Sequence, residues 1–118
     1  MSNYSVTGLV ATTPRYLINQ NGDSILSFRM AVDEPKMTNW FSVTAFHGLA
    51  IFGNESIKKG DRIIVIGDLY VRDWDNGERA GTTVEIVANS FGHDLNYGTA
   101  VFTRPPVTPT DSETEENN

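Results

Sequence analysis

Three aromatic side chains have the type and spacing needed to bind a flat partner. Trp40 and Phe46 are six residues apart, so their rings share one face of an extended strand. Trp40 and Trp74 each have polar neighbours in the sequence, which favours exposed rings over buried ones. Exposed rings can stack on unpaired nucleobases without reading their order, because every base has a π face. Burial in a core is the competing interpretation, and it is strongest for Phe46.

Several basic residues could hold phosphates beside these rings. Arg29 occupies an alternating position of a predicted strand, and Arg72 lies two residues from Trp74 and hence on the same face. A guanidinium next to a ring can contact a phosphate while the ring stacks on the base. The candidate nucleic-acid contacts are therefore Trp40, Phe46, Trp74, Arg29, Arg72, Arg15 and Arg79. Lys58 and Lys59 follow the predicted helix in a turn, where we interpret them as solvated charges.

The sequence contains no pattern typical of catalysis or of a tightly bound metal. His47 and His93 are the only histidines, and they are not at metal-binding spacing. There is no cysteine and no glycine-rich phosphate loop. Asp73 and Asp75 flank a predicted turn, where solvation is the simpler interpretation. We expect a protein that is not an enzyme, with no catalytic residue, metal or cofactor.

Charge is distributed unevenly along the 118 residues, whose formal net charge is −6. Residues 1–104 hold nine basic and eleven acidic residues, a balance of −2, while residues 105–118 hold four acids and no base. A uniformly acidic protein would bind a polyanion poorly, whereas a nearly neutral body can carry a local basic groove. No stretch has the composition of a signal peptide or the roughly 20 apolar residues of a membrane span. We expect a cytoplasmic protein.

Alternation of apolar and polar residues predicts mainly β-structure. Five strands are predicted at residues 6–12, 25–32, 40–46, 62–71 and 82–90, and a helix at 48–57 with Leu49, Phe52 and Ile57 facing the core. Turns are predicted at Asn21-Gly22-Asp23, Lys58-Lys59-Gly60-Asp61 and Asp75-Asn76-Gly77-Glu78, where glycine supplies the positive φ that tight turns require. Gly67 inside a strand predicts a bulge or a barrel corner.

The order of these elements predicts an all-β OB-fold, a five-stranded Greek-key barrel with one short helix between strands 3 and 4. A five-stranded meander sandwich is the alternative architecture. The predicted domain spans residues 1–104. Residues 105–118 are rich in proline and acidic residues and have no aromatic residue, so we expect a disordered acidic tail.

The sequence resembles the bacterial single-stranded-DNA-binding protein family over residues 4–98. The matching stretches are N-W-F-S-V-T-A-F (39–46), I-K-K-G-D-R-I-I-V-I-G-D-L (57–69), V-R-D-W (71–74) and T-T-V-E-I-V-A (82–88). Looser matches are T-G-L-V (7–10) and F-R-M-A-V (28–32). The resemblance implies an OB-fold homotetramer around which single-stranded DNA wraps, with bases stacked at Trp40, Phe46 and Trp74. It implies a role at the nucleoid in DNA replication, recombination or repair.

An OB-fold subunit of a primosome-type complex, whose sheet binds protein, is the alternative function. Two departures from the family pattern also bear on function. Residues 33–39 join the second and third predicted strands, where family members usually have a longer hairpin that contacts DNA. The shorter connection favours a smaller site of wrapped DNA. The last residues, Glu115-Glu116-Asn117-Asn118, lack the Pro-Phe tip through which relatives recruit repair and replication enzymes, so we expect such recruitment to be weak.

Overall fold

A computed structural model describes residues 3–34 and 37–106 of the chain. The predicted tail falls almost entirely outside these residues, so the domain boundary at residue 104 stays a prediction. Residues 35–36 are also outside them. The strands on either side of these residues pair as far as Glu34 opposite Met37.

Within the described residues the chain forms six strands and one helix. They are β1 (Asn3–Val10), β2 (Arg15–Ile18), β3 (Ser24–Glu34), β4 (Met37–Phe46), α1 (His47–Ser56), β5 (Arg62–Asp75) and β6 (Ala80–His93). The strands pair in the order β1-β5-β6-β4-β3-β2, and β1 also pairs with β3, which closes five of them into a ring. Of the pairings between these strands, the β4–β6 pairing is parallel and the others that the structure describes are antiparallel. Five ring strands with a helix between the third and fourth match the predicted order.

Strand β2 was not predicted. It lies outside the ring, where it pairs with β3 from Arg15 opposite Ser27 to Ile18 opposite Ser24. All four of its residues are exposed, so the strand leaves no alternation of buried and polar residues in the sequence. The turn that follows is the predicted one, with Gly22 at φ +86°.

Alternate residues of the ring strands point inward and form the core. The most deeply buried large side chains are Leu26, Met30, Ile63, Ile86, Val10, Val43 and Val65. Ring closure therefore assigns one face of each strand to the core and the other to the outside.

Helix α1 packs against this core, in part through the residues predicted, since Leu49 is partly buried against it. Ala50 and Gly53 are its buried residues, whereas Phe52 is 55% exposed. A Cβ on Gly53 would lie 2.5 Å from the Cζ of Phe91, so the missing side chain lets the helix approach the core closely. The prediction for Phe52 was wrong because close helix packing, rather than residue size, selected the inward face. Ile57, just after the helix, is buried as predicted.

The predicted bulge is confirmed, with its extra residue on the opposite strand. Ile66 pairs with Ser90 while Gly67 pairs with Ala88, so Asn89 of β6 is the extra residue. The distortion brings β6 against Gly67, where an added Cβ would lie 2.2 Å from the carbonyl oxygen of Val87. Glycine is therefore needed at this position to accommodate a neighbouring backbone.

Beyond this bulge, β5 and β6 continue as a two-stranded ribbon. Among the described residues, the pairing between β1 and β5 reaches Asp68 opposite Asn3, and the β5–β6 pairing continues to Asp75 opposite Ala80. We call residues 70–85 the arm. Its turn contains Gly77 at φ +94°, as the Asn76-Gly77 pattern predicted.

We predict that Gly67→Ala lowers the free energy of unfolding by about 1–3 kcal/mol, because the new methyl group overlaps a backbone that cannot move without breaking the bulge. Gly48→Ala is the control: nothing lies within 4 Å of its added Cβ, and alanine is the better helix former. Urea unfolding of both variants tests this. Equal stabilities for the two variants would contradict the role assigned to Gly67.

Candidate nucleic-acid interface

The outward face of the sheet formed by β2, β3, β4, β6 and β5 carries most of the candidate residues. Strand register arranges this face in rows that cross the strands. One row contains Arg29, Ser42, Glu85 and Tyr70 in paired positions. In the adjacent row, Trp40 pairs with Ala31 and Arg72 pairs with Thr83. Because all these positions are opposite in parity to the core residues, their side chains point outward from the ring, on neighbouring strands.

Trp40 and Arg29 form a pair on this surface. The Trp40 side chain is 49% exposed, and the guanidinium carbon of Arg29 lies 5.1 Å from the centre of its ring. This is within the range of a cation–π interaction, which is worth about 0.5–1 kcal/mol at an exposed site. The pair presents a flat cationic surface. A base can stack on the guanidinium, or replace it on the indole while the arginine turns to a phosphate.

Arg72 is held by an acid on the neighbouring strand. Its Nη2 lies 3.3 Å from Oε1 of Glu85, and the two residues are diagonal neighbours across β5 and β6, because Arg72 pairs with Thr83, two positions before Glu85. Exposed ion pairs of this kind contribute at most about 1 kcal/mol, so a phosphate can compete for the arginine. Glu85 therefore partly neutralises Arg72 in the free protein.

Trp74 lies along the arm and is 44% exposed. It faces Gly81 across the ribbon, where an added Cβ would lie 2.7 Å from Cζ2 of the indole. The glycine thus gives the ring room to lie across the β6 backbone. The carboxylates of Asp73 and Asp75 are on the other face of the ribbon, where they accept hydrogen bonds from the Thr82 hydroxyl at 2.9 Å and the Gly77 N–H at 2.8 Å.

The other predicted residues are more widely spread. Phe46, at the end of β4, is 39% exposed, and its ring centre is 6.2 Å from that of His47. His47 has φ +61°, the left-handed region that bends the chain from β4 into α1. Arg15, on β2, pairs with Ser27 of β3 and faces the same side as Arg29. This placement depends on β2, which was not predicted. Arg79 lies in the arm turn, where its N–H donates to Oδ1 of Asn76 at 2.8 Å.

The structure thus brings Trp40, Phe46, Trp74, Arg29, Arg72 and Arg15 to one outward surface and leaves Arg79 at the arm tip. None of the three rings is in the core. Tyr70 and Glu85 also lie on this surface, and neither was predicted as a site residue. The spacing of Tyr70, Arg72 and Trp74 at alternate positions of one strand was the available signal for the tyrosine.

The described part of the chain shows no group of three or more His, Cys, Asp or Glu residues arranged to hold a metal ion. His93 instead pairs with Asp61, with Nε2 3.1 Å from Oδ2, and so ties the end of β6 to the turn before β5. Across residues 3–34 and 37–106, no helix is long and apolar enough to cross a membrane.

Relatives with similar sequences are single-stranded DNA-binding proteins of Actinobacteria. "Single-stranded DNA-binding protein 2" of Tropheryma whipplei (strain Twist) is 44% identical over 115 residues, which cover 88% of this chain and 76% of the relative. "Single-stranded DNA-binding protein 1" of Streptomyces coelicolor is 39% identical over 108 residues, covering 82% and 69% of the two chains.

Solved structures agree with the sequence relatives. The small single-stranded DNA-binding protein from Streptomyces coelicolor superposes with a TM-score of 0.74 at 33% identity, covering 82% of this chain and 97% of that one. The second single-stranded DNA-binding protein from Mycobacterium smegmatis gives a TM-score of 0.72 at 26% identity, covering 87% and 98%. These neighbours confirm the OB-fold prediction. The model of the single-strand binding protein family matches residues 1–94, and the chain belongs to that family.

Proposed function

We propose that this protein binds and protects single-stranded DNA without sequence specificity during replication, recombination or repair, in the cytoplasm at the nucleoid. Bases stack on Trp40, Phe46 and Trp74. Phosphates contact the arginines of the same region, which are Arg29, Arg72, Arg15 and Arg79. The observation that carries this proposal is the Trp40–Arg29 pair, a half-exposed indole with a guanidinium 5.1 Å from its centre on an open sheet face.

The same geometry favours unpaired over duplex DNA. An aromatic ring can stack on a base only when the base is not enclosed between its neighbours in a duplex. Trp40 lies on a strand of the sheet, and not on a helix of the kind that enters a major groove. The arginines provide the charge, while the carboxylates of Asp73 and Asp75 are kept on the far side of the arm.

We further propose that copies of the chain assemble into a homotetramer. Support comes from the outward face of β5 on the side away from the arm, where Ile64 is 38% exposed and Ile66 is partly exposed. Their partners on the neighbouring strands are small residues, Thr7 and Ser5 of β1 and Gly92 and Ser90 of β6, so the two isoleucines stand out from an open sheet surface. Exposed apolar groups of this kind are typical of subunit contacts.

Trp40→Ala and Trp74→Ala should each weaken binding to oligo-dT by about 1–3 kcal/mol, because each removes one stacking platform. Both rings are outside the core, so thermal stability should change little. Fluorescence titration measures the affinity for oligo-dT, and differential scanning calorimetry measures the melting temperature. Phe52→Ala is the matched control, since it removes an exposed aromatic ring on α1 and should leave DNA affinity unchanged.

The same titration separates the two candidate functions. Stacked bases quench indole fluorescence, so oligo-dT should quench the emission of the unmodified protein. Unchanged emission at low salt, together with no mobility shift, would favour an OB-fold subunit that binds protein in a primosome-type complex.

Salt dependence tests the phosphate contacts. Each contact to a single strand contributes about −0.7 to the slope of log affinity against log salt concentration. Arg29→Gln should therefore make the slope shallower by about 0.7, whereas Lys58→Gln, in the turn after α1, should leave it unchanged. Equal slopes for all three proteins would contradict a phosphate contact at Arg29.

Glu85 provides a test with the opposite sign. Glu85→Gln removes the carboxylate 3.3 Å from Arg72 and so frees the arginine for a phosphate. We expect tighter binding to oligo-dT at low salt, by at most about 1 kcal/mol. Weaker binding in this variant would show that Glu85 instead holds Arg72 in its binding position.

A further inference from the structure

A fourth aromatic ring lies on the proposed binding surface. Tyr70 is 50% exposed and belongs to the outward face of β5, opposite Glu85. Five other exposed aromatic residues of the described chain lie elsewhere: Tyr4 on β1, Tyr16 on β2, Phe52 on α1, and Tyr97 and Phe102 after β6. Tyr70 is thus an exposed ring on the sheet face itself.

The spacing of Tyr70 relates it to Trp74 and Arg72. The three residues occupy alternate positions of one strand, so their side chains share a face and their backbones follow one another at about 7 Å. Arg72 therefore lies between two exposed rings. This order, ring then cation then ring, suits two bases of one strand with a phosphate between them.

The ion pair of Arg72 defines the arrangement more closely. Its guanidinium reaches Oε1 of Glu85 at 3.3 Å, and Glu85 is the residue directly opposite Tyr70. The charge is therefore directed along the sheet towards the row of Tyr70 rather than towards Trp74. A phosphate that replaces Glu85 at this guanidinium would bring its nucleotide close to the tyrosine.

The row of Tyr70 also leads across the sheet towards the Trp40–Arg29 pair. Tyr70, Glu85, Ser42 and Arg29 are successive partners in adjacent strands. The residues between the tyrosine and the arginine are small or acidic, so no large side chain separates them. A strand that passes from the arm to Trp40 crosses this row.

We propose that Tyr70 is a base-stacking residue, and that the arm holds two bases, on Tyr70 and Trp74, around a phosphate at Arg72. This inference rests on the proposed single-strand binding. The competing role for an exposed ring on β5 is a subunit contact, because Ile64 and Ile66 are outward on the same strand. Tyr70 lies beyond Asp68, the last residue of β5 with a described partner in β1, and on the same ribbon as Trp74.

The test compares the full chain with its Tyr70→Ala, Tyr70→Phe and Phe52→Ala variants. Each is titrated with oligo-dT and with an oligonucleotide of equal length made of abasic sites. Tyr70→Ala should weaken binding to oligo-dT between about 5-fold and about 150-fold, the equivalent of one lost stacking contact. Tyr70→Phe keeps the ring and should bind like the unmodified protein, as should Phe52→Ala.

The abasic oligonucleotide isolates stacking from other effects. It offers phosphates without bases, so the unmodified protein and Tyr70→Ala should bind it equally. The salt slope of Tyr70→Ala should also equal that of the unmodified protein, whereas Arg72→Gln should make the slope shallower by about 0.7. A loss that persists with the abasic strand would overturn the stacking role.

Light scattering of the same samples tests the competing role. Tyr70→Ala should keep the oligomeric state of the unmodified protein, and a change in mass would assign Tyr70 to a subunit contact and overturn the inference. If the unmodified protein binds oligo-dT and Tyr70→Ala binds it equally well, only the inference about Tyr70 fails. If the unmodified protein does not bind oligo-dT, both the proposed function and the inference about Tyr70 fail.

Discussion

The pairing of β1 with both β5 and β3 is the constraint on which the rest of the structure depends. It closes five strands into a ring, so each strand has one face towards the core and one towards the outside. Burial of Leu26, Met30 and Val43 on the inner face thereby sets the outward direction of Arg29 and Trp40. The proposed binding surface follows from the same alternation that builds the core, and no separate element is needed to present it.

Close backbone approaches, made possible by glycine, determine the shape around this ring. Gly53 allows α1 to contact Phe91, and Gly67 accommodates the bulge at Asn89. Gly81 plays the corresponding part on the arm, where it leaves room for the indole of Trp74. At each position an added side chain would meet a ring or a backbone. The glycines therefore connect core packing, strand curvature and the position of an exposed aromatic ring.

The charged groups on the outward face interact weakly with one another in the free protein. Arg29 lies over Trp40, and Arg72 pairs with Glu85 at the surface, interactions worth at most about 1 kcal/mol each. They orient the guanidinium groups without binding them so tightly that a phosphate cannot compete. A protein with an acidic net charge can in this way keep a local cationic surface available.

Much of the fold could be predicted from the sequence because its signals are local. Alternation along β3 and β4 separates the core side chains from Arg29 and Trp40, and glycines in Asn21-Gly22 and Asn76-Gly77 predict the turns. The family resemblance similarly rests on short stretches of adjacent residues. These local patterns were sufficient to identify the three exposed rings and the arginines near them.

The tertiary structure decided what depends on partners distant in sequence. Strand β2 is exposed throughout and exists through its pairing with β3, so composition alone could not reveal it or the placement of Arg15. The outward position of Phe52 follows from the close contact at Gly53, and the ion pair of Arg72 requires the register between β5 and β6. Residue types and alternation determined which side chains could face outward. Strand register, which is set by ring closure and by the bulge, decided which of them became neighbours.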